Sequence, residues 1–237
     1  MVRRRRVGRW SVLTIAIVVA AGWMVGQNRD GQAAGGAPSP TSSARPGSAQ
    51  RALDTLAVKG RAARTGYDRN RFGDAWTDVD HNGCDTRNDI LGRDLTGTRA
   101  KAGTDGCVIV AGVLDDPYTG RRIGFRRGNH TSAAVQIDHA VSLSNAWQTG
   151  AQGLDETTRT RLANDPLNLL AVDGPTNQAK SDGDAATWLP PHKPSRCAYV
   201  ARQIAVKHTY RLWVTPAEKT AMARILSGCP TQKLPTR

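Results

Sequence analysis

The sequence predicts an α+β domain stapled by disulfides, and three observations carry that expectation. Short β-rich runs such as Cys107–Leu114 and Val135–Ile137 alternate with segments of helical apolar spacing. The four cysteines, Cys84, Cys107, Cys197 and Cys229, form an even set with no Cys-x-x-Cys pair. That pattern favours disulfides over a zinc site. The chain has 237 residues, 39% of them hydrophobic, which is enough for one core. Collagen-like, multi-pass membrane and wholly disordered classes fail on composition, and no internal repeat is present.

Taken in order, residues 1–33 read as a targeting segment. Arg3, Arg4, Arg5, Arg6 and Arg9 precede an apolar stretch from Trp10 to Gly26, and Gly31-Gln32-Ala33 offers a small-x-small cleavage site. The expected outcome is secretion, the alternative being an uncleaved anchor that holds the protein to a membrane through this segment alone. Residues 34–50 are rich in Gly, Ala, Pro and Ser and read as a flexible linker. A single domain is expected over 51–229, with 230–237 as a C-terminal tail.

Within that domain, Ala52, Leu53, Leu56, Ala57 and Val58 predict a short amphipathic helix. A polar, Asp-rich loop follows over 68–89, then a second short helix carrying Ile90, Leu91 and Leu95. Cys107–Leu114 is a strand. Asp115–Gly120 has turn composition, and Ile123 and Phe125 alternate with polar neighbours, so a hairpin is expected. Val135-Gln136-Ile137 is a strand ending at Asp138-His139. Helices are expected near 141–150 and 156–164, a strand over 168–172, and a helix opened by Gly174-Pro175 and running through Lys180. Two helices close the domain, 196–213 and 215–227, the second with a Thr215-Pro216-Ala217-Glu218 capping box. Cysteine order suggests the pairs Cys84–Cys107 and Cys197–Cys229.

The stretch from Val135 to Asp182 carries the chemistry. Strand, strand and short helix can bring Asp138, His139, Asn168, Asn177 and Lys180 to one small metal site. Asp138 and Asn177 offer hard oxygen ligands suited to Mg²⁺, with Mn²⁺ as the alternative. Such an ion neutralises a scissile phosphate and stabilises the leaving oxygen. His139 titrates in the neutral range and is the candidate general base. Asn168 is placed to bridge the strands and fix the His139 loop, and Lys180 to contact a phosphate oxygen. An isolated Asp-His dipeptide is ordinarily a surface pair and an Asn in a turn ordinarily a local cap. Three elements in this order outweigh those readings.

The runs Ile137-Asp138-His139, Asp165-Pro166-Leu167-Asn168-Leu169-Leu170 and Asn177-Gln178-Ala179-Lys180-Ser181-Asp182 resemble the HNH (ββα-metal) endonucleases. The closest likeness is to the HNH-type domain at the C-terminal end of GmrSD-like restriction enzymes, also found in secreted actinobacterial proteins. It extends to Asn82–Asn88 and Ala185–Pro191. The resemblance implies a ββα-metal (HNH) core with inserted and flanking helices. It also implies Asp138 and Asn177 as metal ligands, His139 as general base and Asn168 as a structural residue. Asn177 stands where the family often has His. The long 140–167 segment implies helices inserted between the two strands.

A second constellation, Asp78, Asp80, Asn82 and Asp89 with Gly83 at the sharp turn, matches calcium-loop spacing. Against Ca²⁺, Asp89 replaces the usual bidentate Glu, and a solvated acidic loop is the simpler reading.

Formal charge is +13. Residues 1–33 hold six basic and one acidic residue, residues 131–190 three basic and seven acidic, and residues 191–237 nine basic and one acidic. An acidic centre between basic flanks suits a metal and a phosphate backbone. DNA is the expected partner of a monomer, with RNA as an alternative, and Arg126, Arg127 and Arg202 are the candidate phosphate contacts. The rival function is a non-catalytic binding module for nucleic acid or cell envelope on the same scaffold.

Overall fold

The computed structural model describes residues 47–236. The targeting segment 1–33 and most of the 34–50 linker lie outside the described residues. The end of that linker is not flexible: Ser48–Thr55 is helix α1, burying Ala49, Ala52 and Leu53. Gly47 N donates to Pro230 O, Ala49 N to Gln232 O and Leu234 N to Ser48 Oγ. The folded unit therefore passes the expected 51–229 limits at both ends, because each terminal segment supplies the other's backbone partners.

After a 3₁₀ turn at Arg69–Phe72 come α2 (Thr86–Asp94), β1 (Leu95–Ala100), β2 (Ile109–Asp115) and β3 (Arg122–Arg126). The expected hairpin is present, with Leu114 opposite Ile123 and Gly112 opposite Phe125. Strand β1 was not expected. Leu95 opens this third antiparallel strand rather than extending a helix. Only Leu95 of β1 is buried and its register is irregular, so no alternation of period two announces it. The disulfides are Cys84–Cys107, from the loop before α2 to the foot of β2, and Cys197–Cys229, from the start of α6 (Arg196–Thr209) to just past the end of α7 (Pro216–Ser227).

Strand β4 (Val135–His139) pairs antiparallel with β5 (Leu169–Asp173). Between them lie α3 (Leu143–Gln148) and α4 (Glu156–Asn164), and α5 (Gly174–Lys180) follows β5 directly. Gly174 sits so close to the Ala133 carbonyl that a Cβ there has no room. Helix α6 spans Arg196–Thr209, four residues short of the expected end. Arg211 takes φ 53° and Leu212 N donates back to Lys207 O, so the chain turns to bury Tyr210 and Leu212. One apolar cluster joins α1, α6 and α7, a second gathers around Trp147 and Leu162, and a third packs α2 and the sheet against β4 and β5.

Helix α7 (Pro216–Ser227) begins with the predicted capping box: Glu218 N donates to Thr215 Oγ1, and Thr215 N to Glu218 Oε2. The same Glu218 carboxylate accepts from Lys207 Nζ at 2.9 Å, with both side chains at 0% exposure. Burial raises the Glu218 pKa and lowers that of Lys207, and each charge opposes the other's shift. Glu218→Ala removes one partner of a sealed pair and is expected to cost about 3–5 kcal/mol by chemical denaturation. The double change Lys207→Met with Glu218→Leu is expected to recover most of that loss. A double variant no more stable than Glu218→Ala would refute the ion-pair account.

Candidate functional site

Strand β4 alternates its faces. Val135 and Ile137 enter the core, while Gln136 and Asp138 face α5. On α5, Asn177 and Lys180 lie three residues apart and so share one face. The two spacings mesh: Asn177 Nδ2 donates to Gln136 Oε1 at 2.9 Å, and Lys180 Nζ lies 3.0 Å from both carboxylate oxygens of Asp138. Lys180 Nζ also donates to His139 O at 2.8 Å.

Asp138 is 6% exposed and accepts at Oδ2 from the Tyr118 hydroxyl. Burial raises its pKa, and Lys180 and Tyr118 act against the rise. Tyr118 rings with Trp188 and Tyr199 in edge-to-face contacts at 4.9 and 5.6 Å, which hold its hydroxyl in place.

His139, 7% exposed, has Nε2 at 2.9 Å from Ala163 O. A carbonyl only accepts, so Nε2 carries the proton and Nδ1 keeps a lone pair with no partner among the described residues. Burial, then the Arg69 charge, lowers the His139 pKa to about 3. The imidazole is thus neutral across the physiological range.

Asn168 is fully buried and closes the loop after β4. Its Oδ1 accepts from Val141 N at 2.9 Å, and its Nδ2 donates to Val141 O and Leu162 O at 3.3 and 3.2 Å. Ala140 N donates to Asn168 O at 2.7 Å. One side chain therefore ties the His139 loop to the end of α4, whose Ala163 carbonyl orients the imidazole.

Gln136, Asp138, His139 and Asn177 line the floor of a cleft of about 720 Å³. Its walls carry Arg64, Tyr67, Arg69, Trp76 and Arg87, the last three from the stretch 68–89 whose composition reads as a polar loop. Tyr118 was likewise missed, since nothing in a turn-like Asp-Asp-Pro-Tyr-Thr-Gly run signals a partner for a distant carboxylate.

Several expected roles are corrected. Lys180, 2% exposed, does not reach a phosphate, because its ammonium is enclosed between Asp138 and the His139 carbonyl. Arg127 is spent on Ile109 O and Asn88 Oδ1. Arg202 is spent on Leu167 O and Pro166 O, and Arg126 is an exposed strand residue outside the cleft. The basic wall comes from residues 64–87 instead. Asp78, Asp80, Asn82 and Asp89 do gather, but the Asn82 side-chain amide bridges the Asp80 and Asp89 carboxylates, and Asp78 accepts from Asn82 N and Gly83 N.

Among the described residues no group of three or more His, Cys, Asp or Glu side chains is placed to hold a metal ion. Asp138 still fits a hard cation. A carboxylate has about four lone-pair positions, of which Tyr118 and the Lys180 ammonium, lying against both oxygens, leave at least one open, and Asn177 Oδ1 receives no donor among the described residues.

A model of the C-terminal domain of GmrSD restriction endonucleases matches residues 85–225. An "Uncharacterized secreted protein" of Arthroderma benhamiae is 35% identical over 195 residues, covering 81% of this chain and 90% of that one. No solved structure matches.

Asn168→Ala strands the Val141 and Leu162 backbone groups in a dry interior. It is expected to lower stability by at least about 2 kcal/mol, read as a drop in Tm by circular dichroism. A loss within error of zero would show that the loop holds itself without this side chain.

Proposed function

Since the chain belongs to the family of GmrSD restriction endonuclease C-terminal domains, we propose that it is an exported, metal-dependent nuclease that hydrolyses phosphodiester bonds. In this reading β4, β5 and α5 are its ββα-metal (HNH) core. The observation that carries the proposal is the His139 imidazole. It is oriented by Ala163 O, neutral, and lines the same cleft as Asp138 and Asn177, which also carries arginines.

Asp138 and Asn177 would hold the ion, Mg²⁺ or Mn²⁺, which leaves most coordination positions to water and phosphate. When bound, it supplies charge neutralisation at the scissile phosphate and at the leaving oxygen. His139 Nδ1 takes a proton from the attacking water as the new P–O bond forms and the old one breaks. Lys180 and Tyr118 fix the Asp138 carboxylate, and Asn168 fixes the loop carrying the base. Arg69 and Arg87 balance the charge of the flanking phosphates, in DNA and as an alternative in RNA. Export is supported by the two disulfides and by the relative described as secreted. No helix among the described residues is long and apolar enough to cross a membrane.

One observation favours the rival, a non-catalytic binding module: both oxygens of Asp138 already have protein donors. That module would bind nucleic acid in a salt-sensitive way and cut it with no metal.

Cutting of plasmid or of single-stranded DNA in Mg²⁺ or Mn²⁺, abolished by EDTA, separates the two. His139→Ala is expected to lose about 10²–10⁴-fold in rate, the range for a positioned general base. A pKa near 3 keeps the base deprotonated until strongly acid pH. The acid limb of kcat/KM for the free enzyme should therefore fall well below the ordinary histidine value of about 6.5. Cutting that survives EDTA or His139→Ala would overturn the assignment.

A further inference from the structure

We propose that the cleft takes an unpaired nucleic-acid strand, its bases stacking on Trp76 and Tyr67 and its phosphates meeting Arg87 and Arg69. This inference rests on the nuclease reading of the same site and names its substrate class.

Depth is the first ground. Asp138 and His139 are 6% and 7% exposed, at the bottom of a space of about 720 Å³. Small-ligand pockets span about 300–1,000 Å³, so the cleft is scaled to a nucleotide or two. A duplex presents a thick, continuous surface, and its base faces are closed by stacking. A single strand can bend its backbone to the floor and bring free base faces with it.

The walls supply surfaces for those faces. Trp76 takes φ 64°, a region that bulky side chains rarely adopt. The backbone is pinned there: Thr86 N donates to Trp76 O at 3.2 Å, and Thr86 Oγ1 donates to Thr77 O. Strain of this kind, held by neighbouring hydrogen bonds, is characteristic of ligand-binding positions. The indole is half-buried against the core around β2 and β4 and lines the cleft, and its N–H has no acceptor among the described residues. Tyr67, on the same cleft, is braced edge-on by Phe72 and Trp147 at 6.3 Å each, with the Arg64 guanidinium 5.3 Å from its ring centre, which leaves one ring face for a base, and its hydroxyl has no hydrogen bond among the described residues. Base–aromatic stacking on such platforms, with arginine alongside, is how single strands are bound without regard to sequence.

The arginines are the third ground. Arg87 follows Thr86 at the start of α2, so the clamp that pins Trp76 also positions it. Its guanidinium is half-buried and makes no hydrogen bond or salt bridge among the described residues; burial, then the nearby Arg127 charge, lowers its pKa, and Asp85 acts against that fall. A partly desolvated cation crowded by a second arginine is favoured by an anion arriving with the ligand. Arg69, on the same cleft, makes no side-chain hydrogen bond among the described residues. Arg127 and Arg202, by contrast, are committed to carbonyl oxygens.

The test is fluorescence anisotropy on the full chain in EDTA, at about 150 mM salt to suppress purely electrostatic binding. The probes are a labelled oligothymidylate, an oligouridylate and a DNA duplex of equal length. Single strands are expected to bind at least about tenfold tighter than duplex, and Trp76→Ala to weaken them about tenfold while duplex affinity stays within about twofold. Trp76→Phe should keep most of the preference. The two single-stranded probes separate DNA from RNA. Duplex binding as tight as single-strand binding, or equal weakening of both by Trp76→Ala, overturns the inference. If Trp76→Ala unfolds, Tyr67→Leu and Arg87→Gln must erode the same preference, and failure to do so is equally fatal. The two readings fail separately: single-strand preference without metal-dependent cutting sinks only the nuclease assignment, and cutting of both forms alike, independent of Trp76, sinks only this one.

Discussion

A carboxylate almost sealed from water must be given donors, and the way Asp138 obtains them organises the centre of the domain. Lys180 comes from the last turn of α5, and Tyr118 comes from the turn between β2 and β3. Satisfying one side chain therefore ties the two-stranded sheet, its following helix and the separate three-stranded sheet to a common point. Without Lys180 the burial of Asp138 is prohibitive, and without Asp138 that of Lys180 is. The Tyr118–Trp188–Tyr199 cluster then has a structural purpose beyond apolar area, because it orients the hydroxyl that reaches the carboxylate.

The helices between β4 and β5 are part of the same arrangement. A short hairpin would pair the strands equally well but would offer His139 no carbonyl at the height of its ring. Helix α4 ends where Ala163 O can accept from the imidazole, and Asn168 holds that end against the loop leaving β4. The insertion supplies the tautomer, the orientation and much of the burial that keeps the ring neutral.

Electrostatics follow position in space rather than position along the chain. The basic C-terminal segment is partly consumed inside the protein, with Lys207 on Glu218 and Arg202 on backbone carbonyls. The cations that face the floor of the cleft belong to residues 64–87, well before the motif. Counting charges by segment does not pick out the cleft-lining arginines, Arg64, Arg69 and Arg87. Formal charge says nothing about which guanidinium has been spent.

Local rules sufficed wherever a signal is complete within a few residues. The capping box of α7, Gly174-Pro175 at the start of α5 and the alternating β2–β3 hairpin were legible for that reason. The pairing Cys84–Cys107 and Cys197–Cys229 also followed, from loops short enough to close on themselves. The residues of the Asp138–His139 centre could be named from sequence because they lie on strand, strand and helix in unbroken order. Tertiary structure alone decided what each of them touches. Lys180 had the charge for a phosphate but was turned inward by the helical face it shares with Asn177. Tyr118 and Trp76 joined the site with no local pattern to mark them, and Arg87 with nothing but its place in the Asn82–Asn88 run. Side-chain partners across tens of residues depend on how elements pack, and periodicity carries no record of that.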